Sequence, residues 1–247
     1  MKLIVINSSS KGNCYLLQSS TGETLIVEAG VKMQLVKQAL SWQLNNVVGC
    51  VCTHRHNDHS KYIGDMMNSG IRTLALADVF ESHNLAQHHF AKTIEPMHGY
   101  IIGTFKVFVL SVCHDVPCVG FIISHDEMGK LLFLTDTMMF EYKFPKSINH
   151  VMIEANYADE ILQENIDNGI MPVAMRERLL NSHMELRTTA EILRVNDTTD
   201  VVNVILLHLS DRNSDADMFQ HFIEKSARKT TYVARSGLEV ELSQNPY

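Results

Sequence analysis

Thr53-His54-Arg55-His56-Asn57-Asp58-His59 follows directly on the apolar run Val47-Val48-Gly49-Cys50-Val51-Cys52. His54, His56, Asp58 and His59 are all metal-competent. Side chains alternate along an extended strand, so His54 and His56 are expected on one side of the chain. A turn into a helix predicted over 58–69 then returns Asp58 and His59 to the same end of the sheet. Imidazoles with a carboxylate suit zinc, manganese or iron, and the missing Cys-x-x-Cys pair argues against a structural zinc knuckle. A histidine-rich solvated loop is the competing reading of His-x-His alone; the added Asp58-His59 makes an open catalytic metal site the better one.

Outward from this stretch, hydrophobic periodicity predicts strands over 3–6, 15–18, 24–28 and 47–53, with a helix within 31–44. Beyond it come a strand at 72–75 and a helix over 78–89, then strands over 105–112, 119–124, 131–134 and 151–154. The last third reads as helices near 159–165, 185–195 and 214–225 around a strand at 202–207, with one or two closing strands within 232–242. No repeat or low-complexity linker divides the chain, so residues 1–247 are read as one domain. Two strand-rich halves with interspersed helices predict two packed sheets flanked by helices, a four-layer α/β sandwich.

Composition limits the function classes. At 247 residues, 45% hydrophobic and 20% charged, the chain suits one compact core and excludes collagen-like and disordered classes. No apolar run approaches the roughly 20 residues needed to cross a bilayer. The N-terminal Met1–Ile6 followed by Asn7-Ser8-Ser9-Ser10-Lys11-Gly12 reads as strand and turn rather than signal peptide, and an odd five cysteines suit reduced thiols. A cytoplasmic protein without membrane association is the expectation. The net charge of -7 argues against a wholly nucleic-acid-binding surface, while leaving room for a local basic groove. Oligomeric state is not legible, and a homo-oligomer is left open.

Three further residues stand just after predicted strands: His114 in Cys113-His114-Asp115, Asp136 in Thr135-Asp136-Thr137, and His208 after Val204-Ile205-Leu206-Leu207. Singly, each reads as a cap or surface residue. In this order behind His-x-His-x-Asp-His, they resemble the metallo-β-lactamase superfamily, an αβ/βα sandwich with metals at the strand ends. Ser8-Ser9-Ser10-Lys11-Gly12-Asn13-Cys14, Glu154-Ala155-Asn156-Tyr157 and His208-Leu209-Ser210-Asp211-Arg212-Asn213 are similar to its YycJ/WalJ-like branch, described as metal-dependent 5′-to-3′ DNA exonucleases.

The resemblance implies two divalent metal ions, zinc or manganese with iron also admissible. It assigns His54, His56 and His114 to one, and Asp58, His59 and His208 to the other, with Asp136 between them. Such a pair, roughly 3.5–4 Å apart, acidifies a bridging water into a nucleophile and polarises a phosphoryl oxygen. It also implies a catalytic acid at His183, in Asn181-Ser182-His183-Met184-Glu185, although the usual Gly-His-Leu-Ser pattern is not kept there. Asp58 joins it in the catalytic group, and Asp115 is a candidate for fixing a ligand tautomer. Glu154 either orients His183 or caps its strand.

Arg176, Arg178, Arg187 and Arg212 cluster in sequence near His183 and His208, and a guanidinium fork suits phosphate. Ser9, Asn13, Arg187 and Arg212 are the candidate substrate-binding residues; solvated helix faces and a plain hairpin turn are the alternatives. Cys50 and Cys52 read better as buried strand thiols than as metal ligands. The expected function is hydrolysis of phosphodiesters, with a DNA exonuclease first and cleavage of cyclic or other small nucleotides second; the partner is then a nucleic acid or nucleotide. Amide, lactone or thioester hydrolysis and a non-catalytic metal-binding protein are the remaining classes. The intervals from His114 to Asp136 and from Asp136 to His208 leave no room for the tRNA-gripping arm or the large inserted domain of other nucleases in the superfamily.

Overall fold

The computed structural model describes residues 1–244; positions 245–247 of the expected 1–247 domain lie outside the described residues. The chain opens with antiparallel β1 (Lys2–Asn7), β2 (Cys14–Gln18) and β3 (Thr24–Val27). It then winds through α1 (Met33–Ala39), β4 (Val47–Val51), α2 (Asn57–Ser60), α3 (Ile63–Asn68), β5 (Thr73–Ala75), α4 (Ala77–Ser82) and β6 (Ala91–Thr93), with β3 to β6 parallel. The second sheet starts with the antiparallel β7 (Gly99–Ile102), β8 (Phe105–Val112), β9 (Cys118–His125) and β10 (Gly129–Leu134). The chain continues through β11 (Ile148–Glu154), α5 (Asp159–Asp167), α6 (Ala174–Ser182), α7 (Leu186–Val195), β12 (Asn203–Leu207), α8 (Ala216–Ala227) and β13 (Thr230–Val233), with strands β10 to β13 parallel. Finally β14 (Glu239–Glu241) crosses back to pair with β1.

Two seven-stranded sheets result, in the orders β14-β1-β2-β3-β4-β5-β6 and β13-β12-β11-β10-β9-β8-β7. Strand alternation explains the layering. In β10, Leu131 and Phe133 enter the core between the sheets, whereas Leu132 and Leu134 face the outer layer that holds Leu186 and Leu193 of α7 and Phe219 and Ile223 of α8. On the first sheet, Leu16, Ile26 and Cys50 face α1, α3 and α4 through Val36, Met66 and Phe80. This is the expected four-layer αβ/βα sandwich.

Local readings shift where tertiary contacts intervene. The strand expected over 47–53 stops at Val51, so His54 and His56 stand on a loop. The helix expected over 58–69 is broken into α2 and α3, since Tyr62 donates its N–H to the Ala29 carbonyl. The helix over 31–44 contracts to α1, and that over 78–89 to α4. The short strands β6 and β7 and the helix α6 carry too little apolar periodicity to be read beforehand.

Candidate metal centre

Every candidate ligand stands at the carboxyl end of a strand: Asp58 and its neighbours after β4, His114 after β8, Asp136 after β10 and His208 after β12. This is the edge at which open α/β sheets expose loops to ligands. Three buried residues at these strand ends adopt left-handed backbone, Glu28 (φ 71), Asp136 (φ 48) and His208 (φ 53). That conformation costs a residue with a Cβ about 1 kcal/mol or more and persists only where surrounding contacts impose it.

Ligand-competent atoms of His54, His56, His114 and Asp136 lie within 4.8 Å of one another, as do those of Asp58, His59, Asp136 and His208. Asp136 is the hub. Its carboxylate approaches His59 Nε2 at 3.2 Å, His54 Nε2 and His208 Nδ1 at 3.4 Å, and His114 Nε2 at 3.9 Å. A third group shares Asp136 and His208 and adds Glu154 and His183. There the Glu154 carboxylate is already engaged: it accepts from Thr137 N–H and Met184 N–H at 3.2 Å each, and pairs with His183 Nδ1 at 2.7 Å. The first two groups are therefore the better cation sites.

Neighbouring side chains hold the ligands. The Ser182 carbonyl accepts from His114 Nδ1 at 2.9 Å, leaving Nε2 to face the centre. Thr53 Oγ1 lies 2.9 Å from His54 Nδ1 and donates to buried Glu28 Oε1 at 2.6 Å. Glu28 Oε1 also stands 3.4 Å from His59 Nδ1. Such outer partners fix ring orientation and tautomer. Glu28, like Glu154, ends a buried apolar strand; that shared signal could have found it in the sequence. Gly30 clamps the loop from the other side, since a Cβ there would collide with the Asp58 carbonyl. Asn13 N–H donates to that carbonyl at 2.7 Å, and Ala29 N–H to the His59 carbonyl at 2.7 Å.

The residues fit a pair of cations on their own chemistry. Buried His54 Nε2 has no hydrogen-bond partner among the described residues, and His56 Nδ1 and His114 Nε2 point at each other from 3.2 Å. Burial disfavours every charge here, yet the Asp136 and Glu28 carboxylates hold His59 well above its ordinary range. The imidazoles of His208 and His59 hold Asp136 well below its own, against the same burial. An interior this rich in carboxylate attracts positive charge, and nitrogen with oxygen donors suits borderline divalent metals.

The centre floors a cavity of about 430 Å³. His183 lies on its wall; burial would lower its pKa, but the Glu154 carboxylate raises it above the ordinary 6.5. Glu154 thus orients His183 as well as ending β11. Asp115 lies 3.1 Å from His114 Nε2 and 3.4 Å from His56 Nε2, half-exposed at the rim.

The four residues read as substrate contacts separate. Asn13 is buried, its side-chain nitrogen 3.0 Å from His59 Nε2, so it braces a ligand. Ser9 holds the turn by donating its N–H to Asn13 Oδ1, and the neighbouring Ser10 reaches the cavity instead. Arg187 pairs with Glu160 on a different surface cavity, because helix α7 turns it away from the centre. Arg212 is exposed and does not line the site. Arg178 does line it. Cys52 is buried, its thiol 3.4 Å from the carbonyls of His54 and His59, a backbone brace rather than a ligand.

Among known proteins, the chain is 28% identical over 228 residues to exodeoxyribonuclease YycJ of Bacillus anthracis, covering 85% of this chain and 83% of that one. No family model matches it. Among solved structures it superposes on the metallo-β-lactamase fold protein YhfI from Bacillus subtilis with a TM-score of 0.74, at 18% identity over 97% of this chain and 98% of the other. Zn(2+)-bound PqqB from Methylobacterium extorquens gives 0.72 at 12% identity, over 98% and 100% of the two chains. The short form of human tRNase Z gives 0.66 at 12%, over 98% and 99%. No helix among the described residues is long and apolar enough to cross a membrane.

Proposed function

The chain has the metallo-β-lactamase fold and is similar to a YycJ exodeoxyribonuclease, and from that premise we propose that it is a metal-dependent hydrolase of phosphodiesters acting at DNA ends. The observation that carries the reading is the convergence of seven side chains from four strand ends, with Asp136 at their hub and a carboxylate-oriented histidine beside them. His54, His56 and His114 would hold one divalent cation and Asp58, His59 and His208 the other, with Asp136 between; zinc, manganese and iron all suit this donor set. When bound, two such cations supply a water acidified to near neutrality and charge neutralisation at a phosphoryl oxygen.

The remaining work falls to the chain. Glu154 accepts from His183 Nδ1–H, which leaves Nε2 as the atom that delivers a proton to a leaving oxygen. Asp58 holds His208 through a 3.0 Å contact to Nε2 and would share a cation with it, so it acts by positioning. Phosphate is favoured over an amide or lactone because one cavity holds a proton donor together with Arg178, which forms no ion pair among the described residues. The cavity's modest size also suits the second reading, cleavage of a cyclic or other small nucleotide.

The test is turnover by Mn²⁺- or Zn²⁺-loaded protein against 5′-labelled duplex DNA, single-stranded DNA, cyclic mononucleotides and a β-lactam. Release of mononucleotides from DNA ends is the expected result. Turnover of the cyclic mononucleotides alone would select the second reading, and turnover of the β-lactam alone would refute both.

A further inference from the structure

Helix α6 presents Met175, Arg178, Leu179 and Ser182 to the cavity, a spacing of three, four and seven residues that defines one helical face, and Met171 just before the helix extends the same wall. At its end, Ser182 holds His114 through its carbonyl, and His183 follows directly. The helix therefore ties whatever touches its inner face to a candidate ligand and to the candidate acid.

Arg178 is the single Lys or Arg lining the cavity, which also holds Asp58, Asp115 and Asp136. Its neighbours in sequence are occupied: Arg176 donates to Gln163 Oε1 at 2.7 Å, Arg187 pairs with Glu160, and Arg194 pairs with Glu191. Arg178 is exposed and forms no ion pair among the described residues. A guanidinium without a protein partner, a little over one helical turn before His183, is placed for an anion on the substrate. Beside it, two thioethers and a leucine give an adaptable apolar wall with no strong hydrogen-bonding group.

Resting on the phosphodiester reading above, we propose that the inner face of α6 seats a single nucleotide unit. Arg178 takes the phosphate next to the scissile one, and Met171, Met175 and Leu179 take the base without selecting its identity.

The experiment compares wild type, Arg178→Ala, Arg178→Lys and Met175→Ala, all Mn²⁺-loaded. Equilibrium binding is measured for a phosphorothioate-linked single-stranded oligonucleotide, for deoxynucleoside 5′-monophosphates and for the matching nucleosides. Arg178→Ala is expected to weaken the oligonucleotide and the monophosphate by roughly 10–100-fold, the loss of one charge-assisted contact, while leaving the nucleoside unchanged. The loss should appear in KM rather than kcat, and the slope of log Kd against log salt for the single strand should shrink by about 0.7. Arg178→Lys should restore the salt slope and part of the affinity. Met175→Ala should weaken nucleotide and nucleoside by the same factor. Wild type that cleaves DNA, with Arg178→Ala unchanged in both affinity and salt slope, overturns this proposal and leaves the phosphodiester reading standing. Wild type that binds neither phosphate-bearing probe overturns both.

Discussion

Replacing Glu28 by Gln tests whether the candidate ligands are held from behind by a buried carboxylate. Glu28 has no exposed surface; it accepts from Thr53 Oγ1 at 2.6 Å and from Thr53 N–H at 3.3 Å, and lies 3.4 Å from His59 Nδ1. Gln keeps the shape and one acceptor, but puts an NH₂ group against a donor and removes the charge facing His59. Loss of one charge-assisted hydrogen bond is worth about 1.5–3 kcal/mol. In a chain of this size each kcal/mol moves Tm by about 2–4 °C, so a fall of roughly 3–12 °C is expected in chelator. His54 and His59 would lose orientation together, and metal affinity should fall by about 10–100-fold. Calorimetry in chelator and competitive Zn²⁺ titration read the two effects separately. A variant whose Tm stays within about 1 °C and whose Zn²⁺ affinity stays within twofold would refute the bracing role of Glu28.

Other perturbations reach different parts of the argument. His183→Ala should reduce kcat by about 10²–10⁴ with metal content unchanged by elemental analysis, as loss of a proton donor outside the ligand set requires. Gly30→Ala drives a methyl group into the Asp58 carbonyl and should cost about 1–3 kcal/mol or more in urea unfolding, with reduced metal uptake. His150 is fully buried on β11, and burial pushes its pKa down to about 4 from 6.5. Between these values the unfolded chain binds the proton and the folded one does not. The His150 contribution to stability is thus full above pH 6.5 and is lost by roughly 3 kcal/mol as pH falls towards 4. Unfolding free energy followed from pH 7 to 4.5 should fall less steeply for His150→Gln than for wild type; equal slopes would exclude His150 as a source.

Much of the centre could be read from the chain because its chemistry is tied to strand ends. His54 to His59 carry their ligand types in adjacent positions, and His114, Asp136 and His208 each follow an apolar run long enough to be recognised as a strand. Local hydrophobic period and residue type are properties of neighbours in sequence, so these, with the four-layer arrangement, were legible. The helix α6 was not: its face towards the cavity is short, Leu180 within it and Val173 just before it are exposed, and no clean period results.

What only the tertiary structure decided is which distant groups meet. Arg178 and Arg187 are indistinguishable as letters near His183; packing pairs Arg187 with Glu160 and leaves Arg178 on the cavity. Asn13 and Gly30 look like turn residues, and Glu28 like the end of a strand, until β2, β3 and the loop after β4 are brought together around His59. The left-handed backbone at Glu28, Asp136 and His208 has the same origin. The sequence by itself determined which donors the molecule owns and on which strands they end; the folded chain determined their partners, because a contact between residues far apart in sequence leaves no trace in local spacing.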